Sequence, residues 1–217
     1  VVFSAHGSPP DDFEKASKRN LKVIDATCPL VTKVHNEAKR YANDGRKIIL
    51  VGHKGHQEVK GTMGQADMSL IDDRDGVDHP DWSEDTPVAI LTQTTLSVDD
   101  TSQAIGQIQQ RFSDVIIRND LCYATTNRQD AVKLLMGQAD VLIVLGSQNS
   151  SNSRRLMEIG AQRGVTSRLV DGADDLQEEW FDDVQTVVVT AGASAPEIVV
   201  QECIDYLAKQ FGASLSE

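Results

Sequence analysis

Two segments of this chain carry the same signals in the same order, and that order limits the folds open to it. Each begins at a cysteine, continues through a helix-forming stretch and an apolar strand, and ends at a glycine. Gly52 follows Cys28 by 24 positions, and Gly146 follows Cys122 by 24 positions. Alternating helices and strands predict parallel α/β units, and cysteines at matching places in repeated units can hold one metal cluster on a pseudo-symmetry axis.

The same alternation runs through the whole chain. A strand, a polar turn and a helix start recur at residues 88–100 and 187–198, and a third copy opens the chain at residues 1–12. We therefore predict an α/β protein of three parallel-sheet units, with residues 1–28 as the tail of a truncated first unit. Residues 29–120 form the second unit and residues 121–217 the third. We expect an upstream segment to supply another strand and another cysteine.

The patterns also predict individual elements. Strands are expected at 1–5, 21–26, 47–51, 88–92, 141–145, 168–170 and 186–190. Helices are expected at 11–19, 29–43, 97–112, 127–138, 152–163 and 197–211.

Charge and composition exclude several classes of protein. A net charge of −12 argues against non-specific nucleic-acid binding, which needs a basic surface. No apolar run approaches the ~20 residues that a membrane-spanning helix requires. Three cysteines, an odd number, do not suggest a disulfide framework, so we expect a reducing, cytoplasmic setting.

The cysteines are candidate metal ligands. Cys203 lies inside a predicted helix and is expected to be a buried, inert thiol. Two thiolates, from Cys28 and Cys122, are too few for a closed iron–sulfur or zinc site. A cluster with three protein thiolates and one open iron would suit catalysis, with the third thiolate coming from the absent unit. A structural zinc site built from both cysteines and a histidine is a weaker alternative.

Polar residues collect after the predicted strands, where ligands bind in open α/β sheets. Ser150, Ser151 and Asn152 precede one helix and Ser194 precedes another, so they could cap those helices or bind a phosphate group. Walker A and G-x-G-x-x-G motifs are both absent after the strands. His56 lies two residues before Glu58, and such a pair could deliver a proton.

Seven motifs in order then resemble the LytB/IspH family, which is the 4-hydroxy-3-methylbut-2-enyl diphosphate reductase of the methylerythritol phosphate route to isoprenoids. They read A-H-G, D-A-T-C-P-L-V-T-K-V-H, G-H-x-G-H-x-E-V-x-G-T-M-G-Q, T-Q-T-T-L-S-V-D-D-T, C-Y-A-T-T-N-R-Q, G-S-x-N-S-S-N-S-x-R-L and T-A-G-A-S-A-P. The resemblance runs from Val1 nearly to the C-terminus. It implies a pseudo-threefold arrangement of α/β units around a central [4Fe–4S] cluster.

The resemblance also implies roles for individual residues. Cys28 and Cys122 are implied as two cluster ligands, Glu58 as the proton source and Thr94 as the residue beside the substrate hydroxyl. The implied substrate-binding residues are His6, His56, Gln93, Thr95, Ser150, Ser151, Asn152 and Ser194. The family's first cysteine and a further diphosphate-binding histidine have no counterpart in this chain.

The implied reaction is a two-electron reductive dehydroxylation that gives isopentenyl and dimethylallyl diphosphate. A ferredoxin- or flavodoxin-type protein is the expected electron donor, and it would dock on a local basic patch formed by Arg128, Lys133, Arg154 and Arg155. The alternative is a folded diphosphate-binding fragment that lacks a stable cluster and has no activity.

Overall fold

The computed structural model describes residues 1–216 apart from residues 73, 76, 79 and 119, and it describes no side chain at positions 98 and 100. The helices are α1 (Pro10–Lys18), α2 (Pro29–Asn43), α3 (Gln57–Met63), α4 (Val98–Arg111), α5 (Tyr123–Leu135), α6 (Ser151–Gln162) and α7 (Glu197–Phe211). The strands are β1 (Val2–Phe3), β2 (Ile24–Asp25), β3 (Lys47–Val51), β4 (Ser69–Ile71), β5 (Val88–Thr92), β6 (Val115–Arg118), β7 (Val141–Leu145), β8 (Thr166–Val170) and β9 (Val187–Ala191).

All described strand pairs are parallel, so the prediction of a parallel α/β fold is confirmed. The chain forms two compact units, Val1–Cys122 and Tyr123–Glu217. The first holds a two-stranded sheet, β1-β2, and a four-stranded sheet in the order β4-β3-β5-β6. The second holds a three-stranded sheet in the order β8-β7-β9. The division into three units at residues 28 and 120 stays a prediction.

Side chains that alternate along β3 build the core on both faces of the four-stranded sheet. Ile48 and Leu50 pack with Val34, Ala38 and Tyr41 of α2 on one face. The intervening Ile49 and Val51 pack against α4 on the other face. Successive residues of a strand point to opposite faces, so a continuous apolar run is what a sheet covered on both sides requires. This core fixes the ends of β3 and β5, where the candidate site begins.

The central strand of the second unit, β7, is buried in the same way. Leu142 and Val144 pack with residues of α5 and α6, whereas Ile143 and Leu145 pack with residues of α7. All five residues of β7 are buried. Both sheets therefore present the carboxyl end of a buried central strand to the polar residues that follow it.

Most predicted elements are found, with shifted bounds. Helices at 29–43 and 197–211 and strands at 47–51, 88–92 and 141–145 are confirmed as predicted. The helix expected at 127–138 instead begins at Tyr123 and ends at Leu135. Helix α3 and strands β4 and β6 were not predicted. They are three to seven residues long, too short for a clear period in the sequence. Among the described residues, no helix combines the length and apolar character needed to cross a membrane.

Candidate functional site

A buried carboxyl group lies at the carboxyl end of the four-stranded sheet. Glu58, in the first turn of α3, is 2% exposed. Its Oε1 accepts a 2.6 Å hydrogen bond from the backbone N–H of Thr94, and its Oε2 accepts one of 3.1 Å from the Thr94 hydroxyl. Burial raises the pKa of Glu58 to about 7, although both bonds from Thr94 act to lower it. At neutral pH this carboxyl group can therefore both hold and release a proton.

His56 caps the same helix and is held neutral. Its Nδ1 accepts a 3.2 Å hydrogen bond from the backbone N–H of Glu58. Burial, with smaller contributions from His6, His53 and Arg74, lowers the pKa of His56 to about 4. Because Nδ1 accepts a bond, the proton of the neutral ring sits on Nε2, which is left as a donor. The exposed ring of His6 meets that of His56 edge-on, with ring centroids 5.5 Å apart.

The Gln93 side chain links the loop that follows β3 to the loop that follows β5. Its Oε1 accepts a 3.0 Å hydrogen bond from the backbone N–H of His53, and its Nε2 donates a 2.7 Å bond to Oγ1 of Thr95. The side chain is 1% exposed. Both ends of the amide are thus engaged by protein atoms, and a substrate contact by Gln93 or Thr95 stays a prediction.

Cys28 and Cys122 occupy matching positions, as the repeat predicts. Each is half-buried and directly precedes a helix, α2 for Cys28 and α5 for Cys122. The backbone N–H of each cysteine donates a hydrogen bond to a loop that follows a strand. Cys28 donates to the carbonyl oxygen of Ala5 at 3.0 Å, and Cys122 donates to the carbonyl oxygen of Thr94 at 2.8 Å. The N-terminal end of a helix favours a negative charge, which is the state in which a thiol binds a metal.

These two thiols therefore fit as metal ligands but do not complete a ligand set. Cys203 is not available as a third ligand, because it lies within α7, is fully buried in the core of the second unit, and has its pKa raised to about 11 by that burial. In the part of the chain that the structure describes, no group of three or more His, Cys, Asp or Glu side chains is placed to hold a metal ion.

The second unit carries the hydroxyl and amide groups. Ser150 caps α6, and its hydroxyl accepts a 3.3 Å bond from the backbone N–H of Ser153. Ser151 and Asn152 were expected to precede this helix, but they form its first turn, because the cap is Ser150, which comes before both. Asn152 is 6% exposed, and neither polar atom of its amide has a hydrogen-bond partner among the described residues. Ser194 is exposed in the turn that follows β9.

Sequence reasoning missed Ser153, which organises this loop. Its side chain is fully buried, and its hydroxyl donates a 3.0 Å bond to that of Ser150. A Cβ atom at Gly146 or at Gly192 would overlap Oγ of Ser153. Glycine is thus required after both β7 and β9. The recurrence of glycine after two strands was the sequence signal that could have revealed the contact.

Three of the four basic residues expected to form a docking patch have local partners. Arg128 donates a hydrogen bond to the Ala124 carbonyl oxygen, and Arg155 pairs with Glu158 at 3.2 Å. Nζ of Lys133 lies 3.9 Å from Oδ1 of Asp130, and Arg154 is exposed. Whether these four residues form a docking surface stays a prediction.

Comparison with known proteins places the chain in a family. A family model described as LytB protein matches residues 1–208. The chain belongs to the LytB family. This confirms the family that the motifs of the sequence resemble.

The chain is similar to curated relatives that are named 4-hydroxy-3-methylbut-2-enyl diphosphate reductase, an oxidoreductase. The relative from Rhodopirellula baltica is 52% identical over 219 residues, which cover 99% of this chain and 69% of the relative. Those from Pseudomonas putida strain GB-1 and Tolumonas auensis are 50% and 49% identical, and the matches cover 71% and 72% of their lengths.

Two solved structures share the fold. The E-1-hydroxy-2-methyl-but-2-enyl-4-diphosphate reductase of Plasmodium falciparum matches with a TM-score of 0.92 and 34% identity, over 97% of this chain and 67% of that one. An (E)-4-hydroxy-3-methyl-but-2-enyl diphosphate reductase, described as the terminal enzyme of the non-mevalonate pathway, matches with a TM-score of 0.63 and 33% identity over 96% of this chain.

Proposed function

We propose that this LytB-family chain acts in the reduction of 4-hydroxy-3-methylbut-2-enyl diphosphate to isopentenyl and dimethylallyl diphosphate. The observation that carries the proposal is the buried Glu58 carboxyl group, with a pKa of about 7 and two hydrogen bonds from Thr94. The names of the relatives support the same reaction. We further propose a cytoplasmic location, in keeping with the reducing setting inferred from the cysteines.

The reaction removes a hydroxyl group as water and consumes two electrons and two protons. A proton donor near the leaving oxygen is therefore needed. Glu58 holds a proton at neutral pH because burial disfavours its charged form. The Thr94 hydroxyl, 3.1 Å from Oε2 of Glu58, can accept that proton and donate its own toward the leaving oxygen. Positioned acids of this kind contribute roughly 10²–10⁴-fold to a rate.

The proposal includes a [4Fe–4S] cluster with Cys28 and Cys122 as two of its ligands. When bound, the cluster would supply the two electrons, received from a ferredoxin- or flavodoxin-type protein, and an open iron as a Lewis acid. Anchoring of the Cys122 backbone to Thr94 supports this assignment, because it joins a ligand loop to the proposed proton relay. The ligand set of the described residues is incomplete, so no catalytic step is derived through the cluster.

Diphosphate binding is proposed for the neutral polar side chains. In the first unit these are His6 and His56, and the Nε2–H group of neutral His56 is a suitable donor to a phosphate oxygen. In the second unit they are Ser150, Ser151, Asn152 and Ser194. The unpartnered amide of Asn152 supports this, since buried polar groups are rarely left without a hydrogen bond unless a ligand completes it.

Replacement of Glu58 by glutamine tests the proposed proton transfer. Glutamine keeps the size of the side chain and both contacts to Thr94, so substrate affinity should change little while turnover falls roughly 10²–10⁴-fold. Turnover would be followed with reconstituted protein and a chemical reductant, and affinity by calorimetry. Glu202→Gln on the exposed side of α7 is the matched control. Unchanged turnover in Glu58→Gln would refute the role of Glu58.

A second candidate function is diphosphate binding without a cluster. It is favoured by the finding that the described residues place no third metal ligand beside the two cysteines. Iron and sulfide content after anaerobic reconstitution separates the two functions. About four iron atoms per chain are expected for the reductase. Protein that binds the diphosphate but no iron would support the second function.

A further inference from the structure

Three side chains of α2 reach the segment of chain just ahead of Cys122. Lys33, Glu37 and Tyr41 are spaced four residues apart and therefore share one face of the helix. Lys33 Nζ lies 2.6 Å from Oδ1 of Asp120. Arg118 Nε lies 3.5 Å from Oε1 of Glu37 and donates a 3.0 Å hydrogen bond to the Tyr41 hydroxyl. We refer to Lys33, Glu37, Tyr41, Arg118 and Asp120 as the α2 ladder.

The ladder connects the two cysteine positions. Helix α2 starts directly after Cys28, so its three ladder residues are rigidly fixed relative to that cysteine. On the other side, Arg118 is the last residue of β6, and Asp120 lies two residues before Cys122. Tyr41 is 2% exposed within the core, so the far end of the ladder is anchored as well.

The composition of the ladder favours positioning over stability. The side chains of Glu37 and Asp120 are 12% and 16% exposed, and their carboxyl groups face each other. One oxygen of each, Oε2 of Glu37 and Oδ2 of Asp120, is buried with only the facing carboxyl group as a hydrogen-bond partner among the described residues. Lys33 and Arg118 are about half exposed, and ion pairs of this kind contribute little to stability, whereas charged groups with fixed partners specify one geometry.

We propose that the α2 ladder is a positioning device that holds Cys122 at a fixed distance from Cys28. The proposal rests on the proposed function in one respect, since it explains the ladder by the need to present both thiols to one cluster. Lys33, Glu37, Tyr41, Arg118 and Asp120 are thus positioning residues that act through the two cysteines. The hydrogen bond between the backbones of Cys122 and Thr94 fixes the loop at Cys122 itself. The α2 ladder fixes the segment that leads to Cys122.

The test measures the distance between the two cysteines in the full chain without metal. Nitroxide labels are attached to Cys28 and Cys122 in a Cys203→Ala background, and dipolar broadening of the continuous-wave EPR spectrum, with pulsed electron–electron double resonance for longer separations, gives the distance distribution. We expect a narrow distribution in this background and a clear broadening in Lys33→Met and Asp120→Asn. Lys33→Arg keeps the ion pair, so its distance distribution should be as narrow as that of the background protein. A ladder variant with an unchanged distribution, or a broad distribution before any ladder change, would overturn the proposal.

Asp114→Asn is the matched control. Asp114 pairs with Arg46 at 2.9 Å just before β6 begins, so its loss breaks a similar ion pair at the opposite end of the same strand. Urea denaturation should show comparable stability for the Asp114 and Asp120 variants, while only the Asp120 variant broadens the distance distribution. Equal broadening in both variants would show that the ladder is merely structural. Iron content is measured separately, so failure of the cluster proposal leaves this result interpretable.

Discussion

Replacement of Glu58 by glutamine should stabilise the fold, and the gain should depend on pH. The carboxyl group is 2% exposed, so ionising it in the folded protein removes a charge from water. Glutamine carries no charge, yet its oxygen can accept the bond from the Thr94 N–H group and its amide can donate to the Thr94 hydroxyl. The substitution therefore removes the charge and leaves the contacts in place.

The size of the effect follows from the pKa. Burial raises the pKa of Glu58 from an ordinary 4.5 to about 7, so the folded state binds more protons than the unfolded state between these values. The stability of the native protein therefore falls as the pH rises through this window, and the loss is complete above the folded pKa. Since one pKa unit is worth about 1.4 kcal/mol, the loss is ~3 kcal/mol at about pH 8 and ~1 kcal/mol at about pH 5.

Urea denaturation at both pH values measures this difference. Trp82 lies in the same unit as Glu58, and a Trp180→Phe background makes Trp82 the only tryptophan that reports unfolding. Relative to the native protein, Glu58→Gln should gain ~2 kcal/mol more at about pH 8 than at about pH 5. The exposed Glu202→Gln should show no such dependence. A gain for Glu58→Gln that is equal at both pH values would refute the assignment of a raised pKa.

Two further predictions concern His56 and the loop around Ser153. The His56 ring should titrate near pH 4 and carry its neutral-state proton on Nε2, both readable from long-range nitrogen–proton NMR spectra; titration near the ordinary 6.5 would contradict this. Gly192→Ala should cost ~1–3 kcal/mol of unfolding free energy, because its new methyl group meets Oγ of Ser153. The cost should shrink in a Ser153→Ala background, and an equal cost in both backgrounds would exclude the contact.

Much of the framework was predictable from local patterns. Long apolar strands such as β3 and β7, and helices such as α2 with its proline in the first turn, carry strong periodic or boundary signals. The short helix α3 carries no such signal, so the sequence did not predict that Glu58 lies in a helix. The sequence also left the cap of α6 open, because Ser150, Ser151 and Asn152 are all acceptable caps and only the folded backbone selects Ser150.

The sequence by itself determined the alternation of strands and helices, the matching positions of Cys28 and Cys122, and membership of the LytB family. Each of these depends on residues that are neighbours in the chain or on the order of motifs. Tertiary structure alone decided that Glu58 meets Thr94, 36 positions away, and that the resulting burial brings its pKa to about 7. It also decided that side chains of α2 contact the segment just before Cys122. The physical reason is that desolvation and ion pairing depend on distant segments that only the packed sheet brings together.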